Sequence, residues 1–162
     1  MRHLTFITLL VLCLAVTAQA ETRSFTLFSA DLPQGWDGEE NMGFKSGNPN
    51  ECMLILGLSN AKRDGYDALI SIFVLPNDQK DDSASVANRL APLQANASTP
   101  RPQGPFWTFN GEPRSQIFAV PAVTKVSATP EKVFIAVVQD PDQRGAEAIF
   151  ASLKGLSPEA AK

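Results

Sequence analysis

Histidine is almost missing from this chain of 162 residues, which has only His3, and cysteine occurs only at Cys13 and Cys52. His3 and Cys13 lie in an amino-terminal segment with the marks of a secretory leader. Arg2 and His3 make a polar, basic start, Leu4 to Val16 an apolar stretch, and Ala18-Gln19-Ala20 the small-x-small pattern that signal peptidase reads. The stretch is shorter than the roughly 20 apolar residues of a membrane span, so cleavage after Ala20 is expected rather than a retained anchor. Cys13 follows Leu12 inside the apolar run, without the small neighbour of a lipidated cysteine, and is read as part of the discarded leader. Removing twenty residues leaves a mature chain of 142, residues 21–162, with no histidine and one thiol, Cys52.

These absences exclude whole classes of chemistry. Without imidazole there is no Ser-His-Asp or Cys-His arrangement and no histidine-based zinc or copper site. With one thiol there is no internal disulfide and no Cys-x-x-Cys pair. Positive charge is also scarce: the mature chain carries 17 acidic and 13 basic residues, a net charge of −4, and only Lys62 and Arg63 are adjacent cations. Nucleic acid and anionic lipid are therefore poor partners, because both are bound mainly through clustered Lys and Arg.

What remains fits one domain with a substantial core. Ser24 to Asp31 reads as a strand, Pro33-Gln34-Gly35 as a turn and the segment from Trp36 as a second strand. Gly43 to Ser46 reads as a short strand before the turn cluster Gly47-Asn48-Pro49-Asn50. Cys52 to Leu58 and Ala68 to Leu75 are apolar runs expected to pair antiparallel, and Val133 to Val138 is a third. Such continuity, in place of apolar–polar alternation, predicts a sheet covered on both faces, with helices as the cover. A first helix is predicted after Asp81, Asp82 and Ser83, with Val86, Leu90 and Leu93 as its stripe and an end near Ala91, because Pro92 interrupts it. A second is predicted with Asp140 as N-cap, Pro141 at N1, Gln143 at N3, Ala146, Ile149, Phe150 and Leu153 as its apolar face, and Gly155 as its stop. Ser98 to Pro105 reads as a proline-rich connector, and Phe106 to Phe109 and Arg114 to Val120 as a hairpin around Asn110-Gly111. The tail from Ser157 is expected to fray.

The order Phe25-Thr26-Leu27, Leu32-Pro33-Gln34-Gly35-Trp36, two apolar strands, a helix, a segment with Trp107 and Asn110-Gly111, a late strand and a helix ending Ser152-Leu153-Lys154 resembles the Mog1/PsbP-like group across nearly all of the mature chain. The resemblance implies an α+β fold with a central antiparallel sheet sandwiched by helices. It also implies a role in binding or assembling other proteins without catalysis, and it offers no catalytic residues to carry over.

The remaining motifs point the same way. Ser59-Asn60-Ala61-Lys62 satisfies Ser-x-x-Lys but lies in an expected polar loop, whereas acylating enzymes place that pair on a helix. Asp81, Asp82, Asp140 and Asp142 sit where helix starts favour negative charge. Asp37, Glu39 and Glu40 lack calcium-loop spacing and read as a solvated strand edge. Asn96-Ala97-Ser98 is an incidental glycosylation sequon, and Cys52 a buried small hydrophobe. The expectation is a periplasmic or secreted module, without cofactor or metal, that binds another envelope protein through Trp36, Phe106, Trp107, Phe109, Asn110 and Gly111. The alternatives are a small-ligand or metal carrier built on a sheet edge, and a hydrolase using Ser59 and Lys62 or the carboxylates.

Overall fold

The computed structural model describes residues 20–114 and 118–155. All but Ala20 of the leader expected at residues 1–20, the centre of the segment expected as a strand around residue 116 and the tail from Ser157 lie outside them. Two antiparallel sheets account for most of the fold. Seven strands form the larger sheet in the order β3-β4-β5-β9-β8-β7-β6: β3 Trp36–Met42, β4 Cys52–Ser59, β5 Tyr66–Pro76, β6 Arg101–Gln103, β7 Phe106–Gly111, β8 Ala122–Ala128 and β9 Lys132–Gln139. The smaller sheet places β2 Phe28–Leu32 between β1 Glu21–Ser24 and β10 Lys154–Gly155.

Register follows the apolar pattern. Leu54, Ile72 and Ala136 sit opposite one another across β4, β5 and β9, as do Leu56, Ile70 and Val138, so these side chains share one face of the large sheet, called the inner face below. The small sheet lies on it with Phe28, Ala30 and Leu32, beside Ala146 and Ile149 of helix α2, Ala146–Ser152, and all of these are buried with the strand residues in one core. Phe28, Phe106, Phe134 and Phe150 meet in a chain of ring contacts at 5.6–6.4 Å. Such pairs contribute about 0.5–1.5 kcal/mol each beyond burial. The other face, the outer one, carries a second core, in which helix α1, Ser83–Leu90, and the 3-10 turn Ala91–Leu93 set Val86, Ala87 and Ala91 against Phe109, Val126 and Val133.

The cover is therefore more β-rich than the expected pair of helical layers: one face is covered by a three-stranded sheet with α2, the other by α1 and its 3-10 turn. Both layers are narrower than the seven strands beneath them. The small sheet and α2 pack over the β3 to β9 half of the inner face, whereas α1 packs on β7 and β8 of the outer face. The covers are diagonal, and among the described residues no helix or strand packs over one quadrant of each face.

Several local expectations change for identifiable reasons. Ser24 to Asp31 is not one strand; the chain turns within it, and the Phe25 amide donates to the Phe28 carbonyl at 2.7 Å. This corner is clasped to β3: the Phe25 ring fills the space a side chain at Gly38 would need, the Thr26 amide donates to Glu40 Oε2 at 2.8 Å, and Arg23 pairs with Asp37. Gly43 to Ser46 is a turn, organised by the nearly buried Glu51, which accepts from Ser46 Oγ at 2.8 Å and from the amides of Ser46 and Lys45 at 2.8 and 3.2 Å. Helix α1 is capped by Asp82, which accepts from the Ser85 amide at 2.7 Å, and gives way to the 3-10 turn at Ala91, where Pro92 was expected to interrupt it. Helix α2 begins well after Asp140, because Gln143 and Gly145 take positive φ, 55° and 107°. Asp140 still serves the helix entrance, accepting from the amides of Arg144 and Ala146 at 2.6 and 2.9 Å. Gly155 does not stop the helix; it pairs with Phe28 in the small sheet.

Candidate functional site

Strand order separates the six residues expected to form one binding face. Trp36 is on edge strand β3 and the other five are on β7, five strand steps away, roughly 24 Å at the usual inter-strand spacing. Trp36, 8% exposed, belongs to the inner core, and Phe109, 2% exposed, to the outer one beneath α1. Alternation along β7 divides the rest: Trp107 faces outward against the α1 core, half-buried, whereas Phe106 joins the inner aromatic cluster and Asn110 is exposed on the inner face.

Asn110-Gly111 is not a turn. Both residues lie in β7, opposite Val123 and Ala122 of β8. The tight turn is at Gly104-Pro105, between β6 and β7, where Gly104 takes φ 59°, matching the positive φ at the first corner of a II′ hairpin. Gly111 is glycine because its neighbour is close: a Cβ there would come within 2.5 Å of Gln94 Oε1.

The residues weighed for catalysis are dispersed. Ser59 ends β4 on the surface and Lys62 is in the exposed turn that follows. Asp37 is ion-paired with Arg23 and accepts from the Gly38 amide at 2.8 Å, and these bonds, the amide first, hold its carboxyl below the usual range. Cys52 is fully buried, and burial together with the nearby Glu40 carboxylate pushes its thiol up to about 12. A thiol so placed is protonated at neutral pH and a poor nucleophile. Among the described residues no group of three His, Cys, Asp or Glu side chains is arranged to hold a metal, and no helix is long and apolar enough to cross a membrane.

The two open quadrants differ in chemistry. On the outer face, Met53 and Ile55 of β4, Phe73 of β5 and Val137 of β9 are half-buried, and Phe44 packs on Phe73 with ring centroids 5.8 Å apart. Asp37, Glu39 and Asn41 of β3 project along the edge of this apolar strip and are exposed. On the inner face, β6, β7 and β8 present Arg101, Thr108, Asn110 and Lys125 beside α2, around a crevice of about 340 Å³. The sequence hid both quadrants. The run Cys52 to Leu56 shows that both faces of β4 are apolar but not that one lacks a cover, and the row through Arg101, Thr108 and Lys125 exists only once the strands are in register.

No family model matches the chain, and no curated protein matches it. Among solved structures it is similar to the solution structure of cyanobacterial PsbP (CyanoP) from Synechocystis sp., with 14% identity, a TM-score of 0.44 and coverage of 85% of this chain and 93% of that one. It is also similar to a crystal structure from Bacteroides thetaiotaomicron, with 14% identity, a TM-score of 0.43 and coverage of 81% of this chain. The match covers 46% of that second protein, so the chain spans about half its length. No family, activity or partner is transferred to the chain by these likenesses.

Proposed function

We propose that this chain is an exported, non-enzymatic binding module that associates with another protein of the cell envelope. The observation that supports the reading is the open outer quadrant, where Met53, Ile55, Phe73 and Val137 line a sheet face that no described helix covers. Ser71 stands between Ile55 and Val137 in this row, so the strip is apolar with one hydroxyl in it, and clustered apolar side chains at a sheet surface mark protein interaction sites more often than bare fold surface. Glu39 on the rim, beside Asp37, whose charge Arg23 already offsets, selects the occupant: a protein that presents an apolar ridge bordered by Lys or Arg. Trp36 supports the neighbouring inner core in this reading and does not touch the partner.

The test is affinity isolation from envelope extract with the natural chain, Ile55→Lys and Glu39→Lys. Ile55→Lys is expected to lose the partner with an unchanged unfolding midpoint, and Glu39→Lys to weaken binding and reduce its salt dependence. Retention of the same partner by a folded Ile55→Lys variant overturns the proposal. Export is tested separately by the amino-terminal sequence of protein from the envelope fraction, which is expected to start at Glu21.

A further inference from the structure

The inner quadrant carries a second and independent site. Register places Arg101 of β6 opposite Thr108 of β7, and Thr108 opposite Lys125 of β8, so the three side chains form one row across the sheet. Directly opposed Cβ atoms are about 5 Å apart, which sets one cation on each side of the threonine. Thr108 is 6% exposed and lines the crevice, yet its hydroxyl has no hydrogen-bond partner among the described residues. The Arg101 guanidinium and the Asn110 carboxamide, one row further along, likewise have none. Lys125 is held in place: its ammonium lies 4.5 Å from the centre of the Phe150 ring and 2.8 Å from Glu147 Oε2. Glu147 offsets one of the two cations and leaves one positive charge in excess, in a chain that is acidic overall.

The crevice does not end at this row. A second hollow of about 470 Å³ shares Asn110, Val123 and Glu147 with it and continues over Pro121, Ala122 and Val138; Gln143 and Asp140 also line it, the Asp140 carboxylate being engaged by the Arg144 and Ala146 amides. Volumes of this size suit small molecules. A polar, cationic mouth that leads into a mainly apolar hollow matches a ligand with a charged head and an apolar body.

The geometry points to a binding site for a small amphiphilic oxyanion, a carboxylate or a phosphate monoester. Its oxygens lie between Arg101 and Lys125 and accept from Thr108 and Asn110, and its apolar body lies along Val123. On binding, the ligand displaces the Glu147 carboxylate from Lys125.

Titration calorimetry of the full mature chain at low salt, with octanoate, octyl phosphate and acetate as probes, tests this. One or both octyl probes are expected to bind saturably below their micelle concentrations, and acetate at least about tenfold more weakly, because it lacks the apolar body. The tighter of the two octyl probes identifies the headgroup. Arg101→Gln is expected to weaken binding about tenfold, and Thr108→Val several-fold. Glu147→Gln is expected to tighten it, because the competing carboxylate is gone. Arg89→Gln, on the outer face, serves as a control that leaves binding unchanged. Absence of saturable binding by both octyl probes overturns the inference. So does binding that Arg101→Gln and Glu147→Gln leave unchanged, or acetate binding as tight as octanoate.

Discussion

The two uncovered quadrants of the large sheet lie on opposite faces and at opposite ends of the strand order, and they expose different chemistry. The outer one offers Met53, Ile55 and Phe73 beside an acidic edge, and the inner one Arg101, Thr108 and Lys125 beside a crevice. Among the described residues each cover is narrower than the seven strands, and the diagonal offset leaves one quadrant of each face without a helix or strand over it. An apolar sheet face needs another surface to cover it, whereas a polar row is stable in water and gains only from a ligand that satisfies its donors. One scaffold thus presents a surface suited to a protein and a crevice suited to a small molecule.

The contrast is broken most severely by removing the side chain that fixes one cover. Phe109, fully buried under α1, anchors that helix, so Phe109→Ala is expected to destabilise the fold by about 3–5 kcal/mol in urea unfolding. Phe73→Ala, in the open quadrant, deletes a half-buried ring that packs on Phe44, and is expected to cost about 1–2 kcal/mol. Equal losses would show that the outer quadrant is as covered as the α1 core. Gly111→Ala is expected to fall between the two, at about 1–3 kcal/mol, because the new methyl must displace Gln94.

Acid sharpens the comparison further. Hydrogen bonds hold the carboxyls of Asp37, Glu51 and Asp82 below their ordinary values, chiefly from the Gly38 amide, the Ser46 hydroxyl and the Ser85 amide respectively. Groups depressed in the folded chain add stability that is complete above their unfolded values, around pH 4, and is lost as pH falls through the folded ones. Stability is expected to be flat with respect to these groups at neutral pH and to fall below about pH 4, with a smaller fall in Glu51→Gln, measured by urea unfolding across acidic pH. The smallest effect concerns Cys52: native protein is expected to resist thiol labelling at neutral pH, and rapid labelling contradicts its burial.

Much of this fold was legible from particular residues. The apolar runs at Cys52, Ala68 and Val133 gave β4, β5 and β9, Asp82 and Pro92 gave the limits of α1, and Ala146 and Ile149 gave the buried face of α2. The failures share a cause. Asn110-Gly111 has strong turn propensity, but pairing with β8 and the bond from the Ser98 amide to the Asn110 carbonyl outweigh it, and the true turn at Gly104-Pro105 was hidden in a stretch whose prolines argued against a strand. Positive φ at Gln143 moved the start of α2 in a way no capping pattern announces. The site was less legible than the fold, because sequence shows which residues alternate but not which strands are neighbours. Trp36 and Trp107 read as companions only until the strand order sets them at opposite ends of the sheet.

The most direct test of the division between the quadrants is site-specific photo-crosslinking in intact cells, with a photoreactive phenylalanine analogue at position 73 or position 110 of the chain. The binding proposal predicts a discrete protein adduct from position 73 and none from position 110. An adduct from position 110 alone, or the same adduct from both, would contradict the account.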